Sequence, residues 1–434
     1  MDHRELYKQK LTDVDGALGL IRSGDNIITG GVGVEPAATL KRLHTLCGRV
    51  RDLTYMNGLG FRSYPFMELE SCQDMISTDS VFLMGPGRQA HRKGLLNVYP
   101  GHLHIAAERW FHTHDGRKVF VAAATPMDRH GYMRVSLCLI HERFMLDNAD
   151  VVILEVNPNM PTVFGDTQVH ISDVACVVET DYPMPFLESA PQDEAEQLIG
   201  ANIAQLVRDG DCIQLGIGAI PDAAAQSLMD KHDLGIHTEM LTNSMVDLVE
   251  SGVVTGKKKN VDRGMIVAAF ALGNQRLYDF IDENPGVQLR SGAMVNSPWR
   301  IAKIDNFVSV NTAMGVDLSG QICSESIGSL HYSGSGGQAD TAIGALHSKG
   351  GRNIIALKST RQVADRVVSN INAQLPAGSI VTLSRNDVDY IVTEFGIAPM
   401  RGRNVRQRVD NLIAVAHPDF RAQLKQDAEK LLLW

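Results

Sequence analysis

Apolar residues along this chain gather in short continuous runs. Val119–Ala123, Val151–Leu154, Ile354–Leu357 and Ile380–Leu383 are each only a few residues long and mostly Val, Ile, Leu and Ala. A half-exposed strand alternates polar and apolar positions, so unbroken runs of this kind predict strands covered on both faces. Between them lie stretches with helical spacing, such as Ala195–Val207. A second helix is predicted at Ser244–Glu250, closed by Gly252 past its end. Strands alternating with helices predict an α/β fold with mostly parallel sheets.

The same pattern occurs twice. Leu20-Ile21-Arg22-Ser23-Gly24-Asp25-Asn26-Ile27-Ile28-Thr29-Gly30 lines up with Leu206-Val207-Arg208-Asp209-Gly210-Asp211-Cys212-Ile213-Gln214-Leu215-Gly216. Each copy reads helix end, Gly-Asp turn, strand, glycine-rich loop, then a proline (Pro36, Pro221) opening an alanine-rich helix. Two related open α/β domains follow. The polar stretch Glu188–Glu194 is the natural linker, which gives residues 1–187 and 188–434 as the two domains, with an active site expected between them.

Length and charge narrow the function. At 434 residues the chain exceeds one core of ordinary size, and 44% apolar with 21% charged residues excludes disordered and fibrous classes. A net charge of −9 counts against nucleic-acid binding. Runs such as Met265–Leu272 fall short of the roughly 18 residues that a membrane span needs. The start, Met1-Asp2-His3-Arg4-Glu5, leads into no apolar signal segment, so a cytoplasmic protein is expected. Its six cysteines are scattered singly and read as reduced, buried side chains.

Several motifs can be weighed on their chemistry. Gly216-Ile217-Gly218-Ala219-Ile220-Pro221 starts like a dinucleotide fingerprint but has proline where the third glycine belongs. Ser333-Gly334-Ser335-Gly336-Gly337 carries almost no side chain before a helical stretch, which favours close approach of a ligand to backbone N–H groups. His102, His104, His112 and His114 cluster, though their surroundings look helical and favour structural roles over metal binding. Lys257–Lys259 reads as a solvated loop. Glu239 stands near the end of an alternating segment beside a loop, where α/β proteins keep ligand sites, yet spacing alone does not single it out.

Taken in order, Gly216–Ala223, Gly235–Met240, Gly334–Asp340 and Ala416–Arg421 resemble motifs of the acetyl-CoA hydrolase/transferase family, most of all its 4-hydroxybutyrate CoA-transferase branch. Asn157, Asn311 and Val316–Gln321 add to a likeness that covers nearly the whole chain. The resemblance implies a transferase that moves CoA between carboxylic acids through a glutamyl-CoA thioester, with Glu239 as nucleophile. It implies CoA binding by Gly216, Ile217, Gly218, Ala219 and Ile220, by Gly336 and Gly337, and by Asn311. Asn296 and Gln214 are its candidates beside the reacting acid, and Ser335 departs from the isoleucine frequent in relatives. It implies no resident cofactor and no metal, with acyl-CoA and a small carboxylic acid as substrates. A homodimer is the default expectation. A free carboxylate titrates near about 4.3, so Glu239 is expected to be ionised at neutral pH without a general base.

Overall fold

The run around Val119–Ala123 forms the strand Lys118–Ala124, buried along its whole length. Even its lysine is satisfied internally, with Nζ donating to the carbonyls of His114 and Gly116. The computed structural model describes residues 2–189 and 191–433, and the chain forms two units. One holds the residues up to Leu187 together with Val267–Val295; the other holds Glu188–Ile266 and the chain from Asn296 onward. Ala190, inside the expected linker, lies outside the described residues.

Val267–Val295, which lies inside the expected second domain, groups with the first unit. The Leu139 N–H donates to Ala269 O at 2.9 Å, Ala271 N–H to Leu137 O at 3.0 Å, and Gly292 N–H to Leu139 O at 2.7 Å. Local sequence pattern carries no trace of such long-range pairing.

In the first unit, eight strands form one sheet: β1 (Leu11–Thr12), β2 (Asn26–Thr29), β3 (Leu53–Asn57), β4 (Ile76–Ser80), β5 (Asn97–Val98), β6 (Lys118–Ala124), β7 (Val151–Val156) and β8 (Cys176–Glu179). Their order is β1-β8-β7-β6-β2-β3-β4-β5, with every neighbouring pair parallel. The chain runs outward from β2 to β5 and then returns to β6 on the other side of β2. The order thus reverses between β2 and β6, where doubly wound sheets open a crevice at the strand ends.

The second unit repeats this plan. Its strands are β9 (Cys212–Leu215), β10 (Gly235–Leu241), β11 (Phe307–Thr312), β12 (Arg352–Ala356), β13 (Tyr390–Thr393) and β14 (Gly396–Pro399). From β13 through β12, β11 and β9 to β10 all pairs are parallel, and β14 adds an antiparallel edge beside β13. Here the order reverses between β9 and β11. Helices α1 (Glu194–Ala204), α2 (Ala219–Gln226), α3 (Asn243–Glu250) and α4 (Gln338–His347) belong to this unit. A capping box of Asp193 and Glu196 starts α1.

The sequence repeat corresponds to a repeated joint. Gly24 and Gly210 both take left-handed φ, +81° and +80°. The aspartate that follows each one accepts from a backbone N–H at 2.7 Å, Arg22 to Asp25 and Arg208 to Asp211. Each aspartate is also buried against an arginine that donates to the preceding helix end. Arg117 reaches Asp25 and Leu20 O; Arg352 reaches Asp211 and Leu206 O. Arg117 stands just before the neighbouring strand β6, whereas Arg352 comes from β12, two strands away from β9. The copies share the joint and differ in its source.

Two local expectations change. Ile380–Leu383 is not a strand: Leu383 alone pairs, in a single bridge to Ile322, and its side chain joins the core while Val381 is exposed. Cys47 and Cys72, expected reduced, form a disulfide with Cα atoms 5.6 Å apart. The turn Leu43–Leu46 and the turn Glu70–Cys72 lead directly into it, a meeting that cysteine spacing does not reveal. Cys138, Cys176, Cys212 and Cys323 are free and buried.

Candidate active site

Glu239 lies on β10, whose seven residues Gly235–Leu241 are buried except at this one position. The parallel pairs Cys212–Gly235 and Ile213–Ile236, counted onward, bring Glu239 level with Gly216 at the start of the glycine loop. The strand continues past it to Leu241, so the carboxyl sits beside the loop but just inside the strand rather than at its end.

Two neighbours from distant stretches hold that carboxyl. Asn296 Nδ2 donates to Glu239 Oε2 at 2.7 Å. Gly337 packs against this pair so closely that a Cβ at residue 337 would overlap both Glu239 Oε2 and Asn296 Nδ2. Glycine is required here by proximity, since its φ of −99° suits any residue. Gly337 also caps α4, so the carboxylate rests at the positive end of a helix.

These donors favour the ionised form, but burial opposes them and dominates. Removal from water raises the Glu239 pKa to about 7, with Asp340 adding repulsion and the Asn296 and Gly337 hydrogen bonds pulling it down. The expected value for a free carboxylate is corrected accordingly. At neutral pH the group is divided between its two forms.

The remaining candidates form a second layer. Ser309 Oγ on β11 lies 3.1 Å from Gln214 Oε1 and 2.9 Å from Thr341 Oγ1, and Asn311 Nδ2 donates to both hydroxyls at 2.9 and 3.1 Å. Thr341 in turn closes the first turn of α4, its N–H donating to Gly337 O at 2.9 Å. Gln214 and Asn311 are thus tied to the glycine that touches Glu239. The Gly216 N–H donates to Val310 O at 3.0 Å, fixing the start of the other loop, and Gly218 takes φ +109° at the cap of α2. Ile217 between them is exposed.

Comparison with known proteins identifies the scaffold. Residues 1–188 match the acetyl-CoA hydrolase/transferase N-terminal domain, and residues 273–428 match the C-terminal domain of the same family. The chain belongs to the acetyl-CoA hydrolase/transferase family. It is 39% identical to the succinyl-CoA:cyclohexane-1-carboxylate CoA transferase of Geobacter metallireducens, covering 98% of this chain and 96% of that protein. It is 37% identical to the 4-hydroxybutyrate coenzyme A transferase of Clostridium kluyveri, covering 99% and 100%. Among solved structures, RipA from Yersinia pestis matches with a TM-score of 0.91 and 35% identity over 100% of both chains. A 4-hydroxybutyrate CoA-transferase from Porphyromonas gingivalis matches with 0.82 and 30% over 99% of both.

The clustered histidines gather around one helix of the first unit. His112 and His114 lie on and after the helix Ala106–Thr113, and the His114 ring stacks on Trp110 at 4.2 Å. His102 and His104 precede that helix with rings 6.1 Å apart. Among the described residues no group of three or more His, Cys, Asp or Glu is placed to hold a metal ion. No helix among them is long and apolar enough to cross a membrane. Lys259 is buried, not solvated: its Nζ donates to Ile236 O and Met265 O at 2.9 and 2.6 Å.

Ser309 and Thr341 escape a reading of motifs because each is an ordinary polar residue in an apolar setting, whereas Asp340 lies within the Gly334–Asp340 motif. A buried Ser on a core strand was the available signal. In the first unit, Glu35 follows a glycine loop of its own and is buried. Burial lifts its pKa to about 7 although Arg62 donates to it at 3.1 Å.

Proposed function

We propose that this CoA-transferase moves CoA from an acyl-CoA to a small carboxylic acid, 4-hydroxybutyrate or a similar short-chain acid, through a covalent thioester on Glu239. The observation that carries the reading is the setting of Glu239, a recessed carboxylate held by Asn296 and touching the bare backbone of Gly337 at a helix start. A carboxylate is a sufficient nucleophile toward a thioester, and one lifted to about 7 is more basic than a free one while still available at neutral pH.

The reaction balances in two exchanges. A Glu239 oxygen attacks the thioester carbonyl, the C–S bond breaks, and an acyl-glutamyl anhydride and CoA thiolate result. The thiolate attacks the glutamyl carbonyl, forming the enzyme thioester and releasing the first acid as its carboxylate. The incoming carboxylate then reverses both steps. Each tetrahedral intermediate carries an oxyanion, and an amide N–H at the head of α4 is suitably charged to receive it. In this reading Gly216–Ile220, the turn from β9 into α2, is the CoA loop, with Asn311 on the neighbouring strand β11.

The test is incubation with acyl-CoA alone, rapid quenching and peptide mass spectrometry. A CoA adduct on the peptide containing Glu239, lost on adding acceptor acid, is expected. Transfer that proceeds with that peptide unmodified throughout would overturn the mechanism. Free CoA released without any acceptor would mark a hydrolase instead.

A further inference from the structure

Gly337 must meet Glu239 closely, yet the loop that carries it has almost nothing with which to hold its shape. Between Ser333 and Gln338 the only side chain belongs to Ser335; Gly334, Gly336 and Gly337 supply none. Free in solution, such a segment samples many conformations. Gly336 is held in the left-handed region at φ +50°.

The restraint comes from Glu325. Its carbonyl accepts from the N–H groups of Tyr332 and Ser333 at 2.7 and 3.1 Å, and its carboxylate accepts from the Ser335 hydroxyl at 3.1 Å. Ser333 Oγ donates to the neighbouring Ser324 carbonyl at 3.0 Å. Glu325 is itself 6% exposed, so its carboxylate has little room to swing away. The same residue therefore grips the loop at its base through the backbone and at its middle through the side chain. Beyond Ser335, the Gln338 N–H turns back to Ser335 O at 3.4 Å and the helix begins.

We propose that Glu325 and Ser335 form a latch that positions the Gly336–Gly337 backbone against Glu239 and the thioester formed on it. Both are positioning residues, acting through the loop. The inference rests on Glu239 being the nucleophile. An oxyanion donor contributes about 10²–10³ in rate, and a displacement of roughly 1 Å can cost about 10²-fold. A loop released from its middle anchor keeps its donors but aims them only part of the time.

The experiment compares Ser335→Ala, Ser335→Thr, Glu325→Gln and the double variant Ser335→Ala/Glu325→Gln with the native enzyme. It reads kcat, KM for acyl-CoA, the pH midpoint of kcat/KM and the thermal midpoint. Ser335→Ala is expected to lower kcat about 10- to 100-fold with little change in KM. Its midpoint should move to higher pH, as Glu239 spends less time against the Gly337 N–H. Ser335→Thr, which keeps the hydroxyl, should recover most of the rate. The double variant should be no worse than Ser335→Ala, since that change already removes the contact, which Glu325→Gln, keeping an acceptor oxygen, only weakens.

A Ser335→Ala enzyme within twofold of native in kcat and pH midpoint would overturn the latch. So would equal impairment by Ala and Thr, or a fall in kcat that follows the thermal midpoint with the pH midpoint unmoved. The adduct assay on native enzyme separates this from failure of the nucleophile: absence of adduct removes Glu239, whereas failure of the latch leaves that adduct intact.

Discussion

Asn296 and Glu239 stand 57 residues apart in the chain and are joined by a 2.7 Å hydrogen bond from the Asn296 amide to one carboxylate oxygen. Asn296 is fully buried, so its amide has no water to exchange for that partner. The bond stabilises the ionised carboxylate against the burial that raises its pKa.

Replacing Asn296 by alanine removes a charge-assisted hydrogen bond worth about 1.5–3 kcal/mol. At roughly 1.4 kcal/mol per pKa unit, the Glu239 midpoint should climb by about one to two units. Activity at pH 7 should fall about 5- to 50-fold and return at higher pH. A pH–rate comparison of Asn296→Ala with native enzyme checks both.

For the native enzyme the sign follows from the chemistry. The ionised carboxylate attacks, and its pKa is raised to about 7, so kcat/KM should rise with pH through that value and fall about tenfold per unit below it. A profile flat from pH 5 to 8 would contradict the account.

Glu239→Gln retains size and polarity but supplies no carboxylate. Transfer should drop by at least about 10³-fold, as for loss of other covalent nucleophiles, and the CoA adduct should vanish from mass spectra. The circular dichroism spectrum should stay native.

Gly337→Ala places a methyl where Glu239 Oε2 and Asn296 Nδ2 lie, while the backbone angle there is an ordinary one. Activity is expected to fall about 10²–10³-fold, comparable to losing an oxyanion donor. The thermal midpoint should fall as well, because Glu239 and the fully buried Asn296 must both shift to make room for the methyl.

Arg352→Ala is expected to act on stability. It strips the buried Asp211 of its ion-pair partner and frees Leu206 O from its donor. Leaving such a charge unpaired costs about 3–5 kcal/mol. A lower urea midpoint for the second unit, followed by its own spectroscopic probe, would register it.

Much of the scaffold is written locally. The apolar runs at Val119–Ala123, Val151–Leu154 and Ile354–Leu357 specify buried parallel strands, and the paired Gly-Asp turns specify a joint used twice. These signals survive in sequence because strand burial and left-handed glycine turns depend on residues close together in the chain. The run at Ile380–Leu383 misleads for the converse reason: its partners, Ile322, Ser324 and Ser326, lie more than fifty residues away in the chain.

The amino-acid sequence by itself determined the α/β class, the duplication, the glycine loops and, through resemblance, the likeness to the acetyl-CoA hydrolase/transferase family. Only the tertiary structure decided that Asn296, Gly337 and Glu239 meet, that Ser309 and Thr341 join Gln214 to Asn311, and that Val267–Val295 returns to the first unit. It also decided the ionisation of Glu239. Periodicity is set by neighbours along the chain, whereas desolvation and hydrogen bonding at a carboxylate are set by whichever groups the fold brings around it.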